Sequence, residues 1–254
     1  MWNSMSGVLV LHKTLDILEI LRERDAGCTL ADVARASELP KATVYRILAT
    51  LEQRGYLDRG PDGEYRLARK MFDLERRDAL EETLLRAARP LIGVLVASCR
   101  ETVNLGILDA GEVVVIHTVE SPLTVRMSSK VGNRRHLHST ALGKVLLAAL
   151  PEKEAMRLVR MKGLTRLTGN TIATQPALLA ELRRVRRRGW AIDNQENETD
   201  GRCIGAPIAG PHEAVVAALS ISGPEFRMDM ARAKALAPEL KRACARISEA
   251  MRAR

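Results

Sequence analysis

The sequence predicts an α+β protein built in two parts, and three observations predict it. Residues 8–53 carry three short stretches with helical apolar spacing, the last two separated by a few residues that end in Pro40. Two short strand-like stretches follow at once, around a Gly60-Pro61-Asp62-Gly63 tip. Beyond residue 99 the period changes. Alternating or continuously apolar runs are bracketed by helical ones and joined by short turns such as Asp109-Ala110-Gly111, the pattern of a mainly antiparallel sheet with helices against it.

Each element has its own signal. Leu11, Leu15, Leu18 and Leu21 repeat at helical spacing, which predicts a first amphipathic helix over 8–24, ended by Asp25-Ala26-Gly27. Thr29 is a natural N-cap for a helix over about 30–36, and Asp32 three residues on completes a pattern like a capping box. Pro40 stands where the third helix should begin, since a first helical residue needs no N–H. In that helix Val44, Ile47, Leu48 and Leu51 fall at i, i+3, i+4 and i+7 and form one buried stripe. The rest of its surface carries Ala42, Thr43, Tyr45, Arg46, Ala49, Thr50 and Gln53, and Gly55 ends it.

Two helices joined by so short a turn present the second to a DNA major groove, with the hairpin as a wing beside it. On this reading Lys41, Thr43, Tyr45 and Arg46 meet base edges or groove walls. Thr50 is placed to reach phosphate, and Arg59 on the wing to reach the backbone or the minor groove.

A long helical pattern, interrupted at Pro90, runs from Ala79 to Cys99 as a connector. Strands are then expected in ETVNLGILD, GEVVVIHTVE and LTVRMSS, and helices in STALGKVLLAAL, PEKEAMRLVR and from Pro176 to Arg188. WAIDN, RCIGAPIAG and AVVAALSIS are further strands, and Met228 to Arg252 closes the chain as a helix.

At 254 residues the chain suits two modest domains. The net charge of +9 does not itself argue for DNA, because residues 1–80 carry 13 basic and 13 acidic side chains and the whole surplus lies beyond them. The run Arg183 to Arg188 reads as a solvated helix face. No run approaches the ~18 apolar residues of a bilayer span, and the N-terminus lacks a secretion signal, so a cytoplasmic protein with no membrane partner is expected. Cys28, Cys99, Cys203 and Cys244 are far apart and expected reduced. Gly143-Lys144 lacks the rest of a phosphate-binding loop. His136-x-His138, with Cys203 or His117, is a thin basis for zinc, and Cys203 lies in a buried-strand pattern unsuited to a nucleophile. No catalytic residue, metal or cofactor is expected, hence no enzyme.

Four blocks, LPKATVYRILATLEQRGYL, DGEYRLARK, HLHSTALGKVLLAALP and RRRGWAIDNQENETDGRCIGAPI followed by AALSISGP, resemble the IclR family of bacterial transcriptional regulators over nearly the whole chain. The resemblance implies a winged helix-turn-helix over 1–78, a linker helix over 79–99 and a GAF-like α/β effector-binding domain over 100–254. It implies homodimers that can pair into dimers of dimers, a double-stranded DNA operator, and repression of a catabolic operon under control of an organic, sugar or aromatic acid. Carried over residue by residue, the effector site falls on Met127, Ala141, Leu142, Asp193, Cys203, Ser220 and Ser222. Ser220 and Ser222 alternate along one strand, so both hydroxyls share a face. Backbone N–H groups at the start of the STALGK helix can receive an anion. Two positions depart from the family pattern. Glu38 stands where Gly is frequent, which predicts a turn of different local shape, and His136 stands where Pro is usual, which predicts an altered pocket rim.

Overall fold

The structure, a computed structural model, describes residues 8–24, 27–210 and 213–253, the side chains of 69–70 and 72–79 excepted. The expected Asp25-Ala26 helix stop lies outside the described residues. Contacts divide the chain into two units, Met1–Glu82 and Thr83–Arg254.

The first unit contains α1 (Leu9–Arg22), α2 (Leu30–Ser37) and α3 (Lys41–Gln53), then a hairpin of β1 (Leu57–Arg59) and β2 (Tyr65–Leu67). Its core gathers Ile17 and Leu21 of α1, Val33 of α2, Val44, Ile47 and Leu48 of α3, and Leu57 and Tyr65 of the hairpin. The stripe expected on α3 is therefore the buried one. On α1 the inward face differs from expectation: Leu11 and Leu15 are exposed, because the core reaches only the C-terminal half of the helix, where Ile17 and Leu21 stand one turn apart. The capping box forms: the Asp32 N–H donates to Thr29 Oγ1 at 3.2 Å, and the Thr29 N–H donates to Asp32 Oδ2 at 3.3 Å.

Glu38 caps the C-terminus of α2 at φ 54°, ψ 22°. The turn thus keeps the left-handed geometry that glycine adopts freely, rather than taking a different local shape. Pro40 sits one position earlier than expected, as the N-cap of α3. In the hairpin Leu57 pairs with Leu67 and Arg59 with Tyr65, and Cys28 bridges to Tyr65 on the far side.

The connector helix α4 (Arg69–Cys99) begins before the expected residue 79 and stays helical through Pro90. A proline there removes one N–H donor, a local loss that a long helix tolerates. The second unit is organised on one six-stranded antiparallel sheet. Its strands are β3 (Thr102–Asp109), β4 (Glu112–Val119), β5 (Arg134–Arg135), β6 (Ala191–Asn194), β7 (Gly201–Ala209) and β8 (Val215–Pro224), in the order β5-β4-β3-β8-β7-β6. LTVRMSS is not a strand. Its carbonyls are taken by side chains instead of a ladder: Thr102 Oγ1 donates to Met127 O at 2.6 Å, and Arg227 to Val125 O at 2.9 Å. The edge place beside β4 goes to the two-residue β5.

Helices α5 (Ala141–Ala149), α6 (Glu152–Lys162) and α7 (Gln175–Arg188) follow, and α8 (Met230–Arg252) ends the chain. Leu142, Val145 and Leu146 of α5 pack with Leu178 and Leu182 of α7 and with Val113 and Ala218 of the sheet. Alternation along β7 sends Gly205 toward α5, while α8 is tied to the other residues of the strand by Cys244 Sγ to Ala206 O. A Cβ on Gly205 would stand 3.0 Å from the backbone of Ala141, so glycine is what lets α5 lie directly on the sheet.

Candidate nucleic-acid interface and ligand cavity

On α3, Lys41, Tyr45 and Arg46 are exposed, with Tyr45 at 53%. Among the described residues no carboxylate pairs with Arg46, and Tyr45 does not pack on the wing. Thr43 is half-buried. It lines a shallow groove with Val10 and Thr14 of α1 and with Arg46 and Thr50 of its own helix. Thr50 is exposed, but its hydroxyl donates to Arg46 O at 2.7 Å, so it must give up that bond before donating to a phosphate. Arg59 on β1 lies over the buried Tyr65 ring at 5.3 Å, which aims the guanidinium along the wing. The six residues singled out from the sequence thus occupy one helix face and the hairpin next to it.

In the second unit the seven other candidates line one cavity. Its floor is the sheet. Asp193 of β6 pairs with Cys203 of β7, and Cys203 pairs with Ser222 of β8. Ser220, two residues back on the same face, pairs with Asn104 of β3. Ala141 and Leu142 at the start of α5 form one wall and Met127 another. The enclosed space is small, about 60 Å³, and it opens to solvent at a mouth.

The start of α5 is held rigidly. Thr140 caps it, accepting from the Gly143 N–H at 3.1 Å and donating to His136 O at 2.7 Å. A Cβ on Gly143 would lie 2.4 Å from Leu137 O, so this helix start can approach the preceding chain only with glycine there. A helix start leaves its first N–H groups without partners inside the helix, and here the Thr140 cap takes the one of Gly143.

Burial dominates the electrostatics. Asp193 is 3% exposed, and desolvation pushes its carboxyl up to about 7, against the pull of backbone N–H bonds and of Lys144. Glu196 and Asn197 donate those backbone bonds to its Oδ1, at 2.8 and 3.3 Å. Behind the cavity Lys144 is fully buried and ion-paired with Glu196, whose own carboxyl is raised by burial while Lys144 holds it down. Burial also raises the Cys203 thiol, with the Asp193 carboxylate adding to the effect, which is the opposite of what an attacking thiolate requires.

Sequence reasoning missed several residues of this cavity, notably Asn104, Arg135, Thr140 and Asn197. The alternation around Ser220 and Ser222 held a usable signal for Asn104, which sits across the ladder from Ser220. Nothing local signalled Arg135, because a two-residue edge strand is invisible to periodicity. His136 does not border this cavity. It lines a second hollow with His138 and Lys162, the two imidazole centroids 5.5 Å apart and His138 Nε2 bound to Thr165 O, so its side chain is not part of the expected rim. His117 stands on β4 opposite Leu105. The arginine run on α7 is mostly spent locally: Arg183 pairs with Glu152, Arg184 and Arg188 with Glu181, and Arg186 donates to the carbonyls of Ala148 and Leu150. No helix among the described residues is long and apolar enough to cross a membrane.

Comparison with known proteins adds an independent line. Residues 10–61 match the IclR helix-turn-helix domain, and residues 79–249 match the C-terminal domain of bacterial IclR transcriptional regulators. The chain is 36% identical over 251 residues to the HTH-type transcriptional regulator KdgR of Escherichia coli strain K12, covering 98% of this chain and 94% of that one. It superposes on the crystal structure of Thermotoga maritima IclR with a TM-score of 0.65 at 29% identity, covering 96% and 99% of the two chains. An IclR homologue of Microbacterium hydrocarbonoxydans, solved in complex with 4-hydroxybenzoate, matches with a TM-score of 0.63 at 26% identity over 96% of this chain and all of that one. With a helix pair suited to a DNA groove in the first unit and a cavity on the sheet of the second, these matches place the chain in the IclR family of ligand-responsive, DNA-binding transcriptional regulators.

Proposed function

We propose that this regulator represses a catabolic operon and releases it when a small organic acid enters the cavity of the second unit. Residues 1–78 bind a pseudo-palindromic double-stranded operator, residues 79–99 transmit, and residues 100–254 hold the effector. The active species is a homodimer in the cytoplasm, able to pair into a tetramer, with one α3 per half-site. Lys41, Thr43, Tyr45 and Arg46 read the groove, while Thr50 and Arg59 set register on phosphate. Met127, Ala141, Leu142, Asp193, Cys203, Ser220 and Ser222 surround the acid.

The observation that carries this reading is convergence. Seven residues scattered from 127 to 222 come to one cavity, beside the start of α5, and a helix N-terminus suits an anion. The acid can weaken operator affinity only as far as its own affinity differs between the DNA-bound and free conformations. The decisive experiment measures operator binding by the full chain with and without a panel of sugar, aromatic and short keto acids. At least one acid should weaken binding several-fold and, reciprocally, bind more weakly when operator is present. Affinity indifferent to every acid would leave a DNA-binding protein without an effector.

A further inference from the structure

We propose that Arg135 is the anchor for the effector's acid group, and that the cavity selects a hydroxylated carboxylate, of the sugar-acid kind, over an aromatic acid. This rests on the cavity being the effector site. Arg134 and Arg135 are consecutive on β5, so their side chains leave opposite faces of the sheet. Arg134 turns to the hairpin, donating to Asp109 at 2.6 Å and Glu112 at 3.1 Å. Arg135 stands across the ladder from Val113, which is buried in the core beneath α5, and so points to the cavity side.

The guanidinium of Arg135 has no carboxylate or carbonyl partner among the described residues. Several neighbouring cations are engaged: Lys144 with Glu196, Arg126 with Glu120, Arg202 with Asn194, and Arg227 with Glu101. Its charge is felt at the thiol of Cys203, on the far side of the same space. An uncommitted guanidinium lining a cavity, beside the N-terminal end of α5, is a receptor for one carboxylate. Both of its parallel N–H groups can bond the two oxygens.

The other polar groups define the remainder of the ligand. Ser222 Oγ accepts from Asn104 Nδ2 at 3.3 Å, and its hydroxyl is also bonded to the Cys203 thiol, so a guest meets it by exchange with that sulfur. Ser220 lines the same wall, and Asp193 has its Oδ1 filled by backbone donors and its Oδ2 left over. An aromatic ring would cover these groups without bonding them. A chain of hydroxyls would bond one after another, and leaving such groups dry costs each of them its hydration.

The test is calorimetric titration of the full-length protein at pH 7 with three probes: gluconate, its carboxylate-free counterpart sorbitol, and the ring acid 4-hydroxybenzoate. Gluconate should bind at least tenfold tighter than either of the others. Arg135→Leu should weaken gluconate binding ten- to a hundredfold, the size of a lost charge-assisted pair, and Arg135→Lys should restore part of it. If Arg135→Leu fails to fold, Arg135→Gln gives the same reading with the charge removed and the shape kept. Gluconate affinity unchanged in the arginine variants but lost in Ser220→Ala overturns the anchor and leaves the effector site standing. Tighter binding of 4-hydroxybenzoate than of gluconate overturns the hydroxylated class. No heat from either acid overturns the anchor and the hydroxylated class, while the effector reading itself falls only if the wider acid panel also leaves operator binding unchanged.

Discussion

The reading helix and the cavity hold their polar side chains in opposite conditions. On α3 Lys41, Tyr45 and Arg46 are exposed, and Arg46 is bound to no carboxylate among the described residues. In the cavity Asp193, Ser220 and Ser222 are buried, and Asn104, Thr118, Glu196 and Asn197 hold Ser222 and Asp193 Oδ1 in place. Each condition suits its partner. A duplex brings its own charge and can be met by flexible cations in water. A small ligand must find groups already desolvated and fixed. Substitution on α3 should therefore cost binding and spare stability, whereas substitution around the cavity should cost both.

The sharpest break of that contrast is Arg46→Ala. A bidentate contact to a base is worth ~1–3 kcal/mol, and the proposed dimer makes it twice, so operator affinity should fall on the order of 100-fold or more. The unfolding midpoint should stay within ~0.5 kcal/mol of wild type, as for other exposed positions. Fluorescence anisotropy with labelled operator and a urea titration measure the two. Affinity that survives the change would move the base contact elsewhere on α3.

Lys144→Met tests the other side. Removing one partner of a buried ion pair typically costs ~3–5 kcal/mol, because the remaining charge has no compensation. Lys144 is fully buried against Glu196, so a loss at the lower end of that range is expected from urea unfolding of the second unit. The double variant Lys144→Met/Glu196→Leu should recover much of it. Equal losses in the single and double variants would mean that packing, not charge, is what Lys144 supplies.

Asp193 links the two conditions through pH. Lys144 faces it from α5, Glu196 and Glu198 from the loop after β6, Cys203 from β7 and Arg135 from β5. Burial raises its folded value to about 7, above the ~3.9 of an unfolded chain. The folded state therefore binds the extra proton between those values, so this group's contribution to stability falls as pH rises from about 4 to about 7 and is level above. The slope amounts to at most ~4 kcal/mol, and Asp193→Asn should lack it. The same sign applies to an anionic effector, which binds best while Asp193 keeps its proton and weakens above pH 7. Acid affinity independent of pH between 6 and 8 would place the ligand's charge far from Asp193.

What could be read from the sequence follows the same division. Val44, Ile47, Leu48 and the exposed residues between them declared α3, because a helix on a surface writes its burial into local spacing. The Thr29–Asp32 box was equally local. From spacing alone the cavity was legible only where it lay on a regular strand, at Ser220 and Ser222; Met127, Ala141, Leu142, Asp193 and Cys203 came from the family resemblance. Arg135 and Asn104 belong to it through pairings between residues far apart in the chain, which no window of sequence contains. Leu11 and Leu15 misled for the converse reason: their spacing is helical, but only the distance to the core decides which turn of α1 is covered.

Glu38 offers the smallest effect and the finest test of locality. It holds φ 54°, ψ 22° at the end of α2, a left-handed conformation that costs a residue with a Cβ ~1–2 kcal/mol relative to the right-handed one. Glycine pays no such cost there, although it loses more freedom on folding. Glu38→Gly should therefore stabilise the first unit by a few tenths to ~1 kcal/mol. It should leave operator affinity unchanged, since the turn already has the geometry that seats α3. A loss of stability would mean that the Glu38 side chain makes compensating contacts. A change in operator affinity at constant stability would mean that the α2–α3 angle differs between the glutamate and glycine turns.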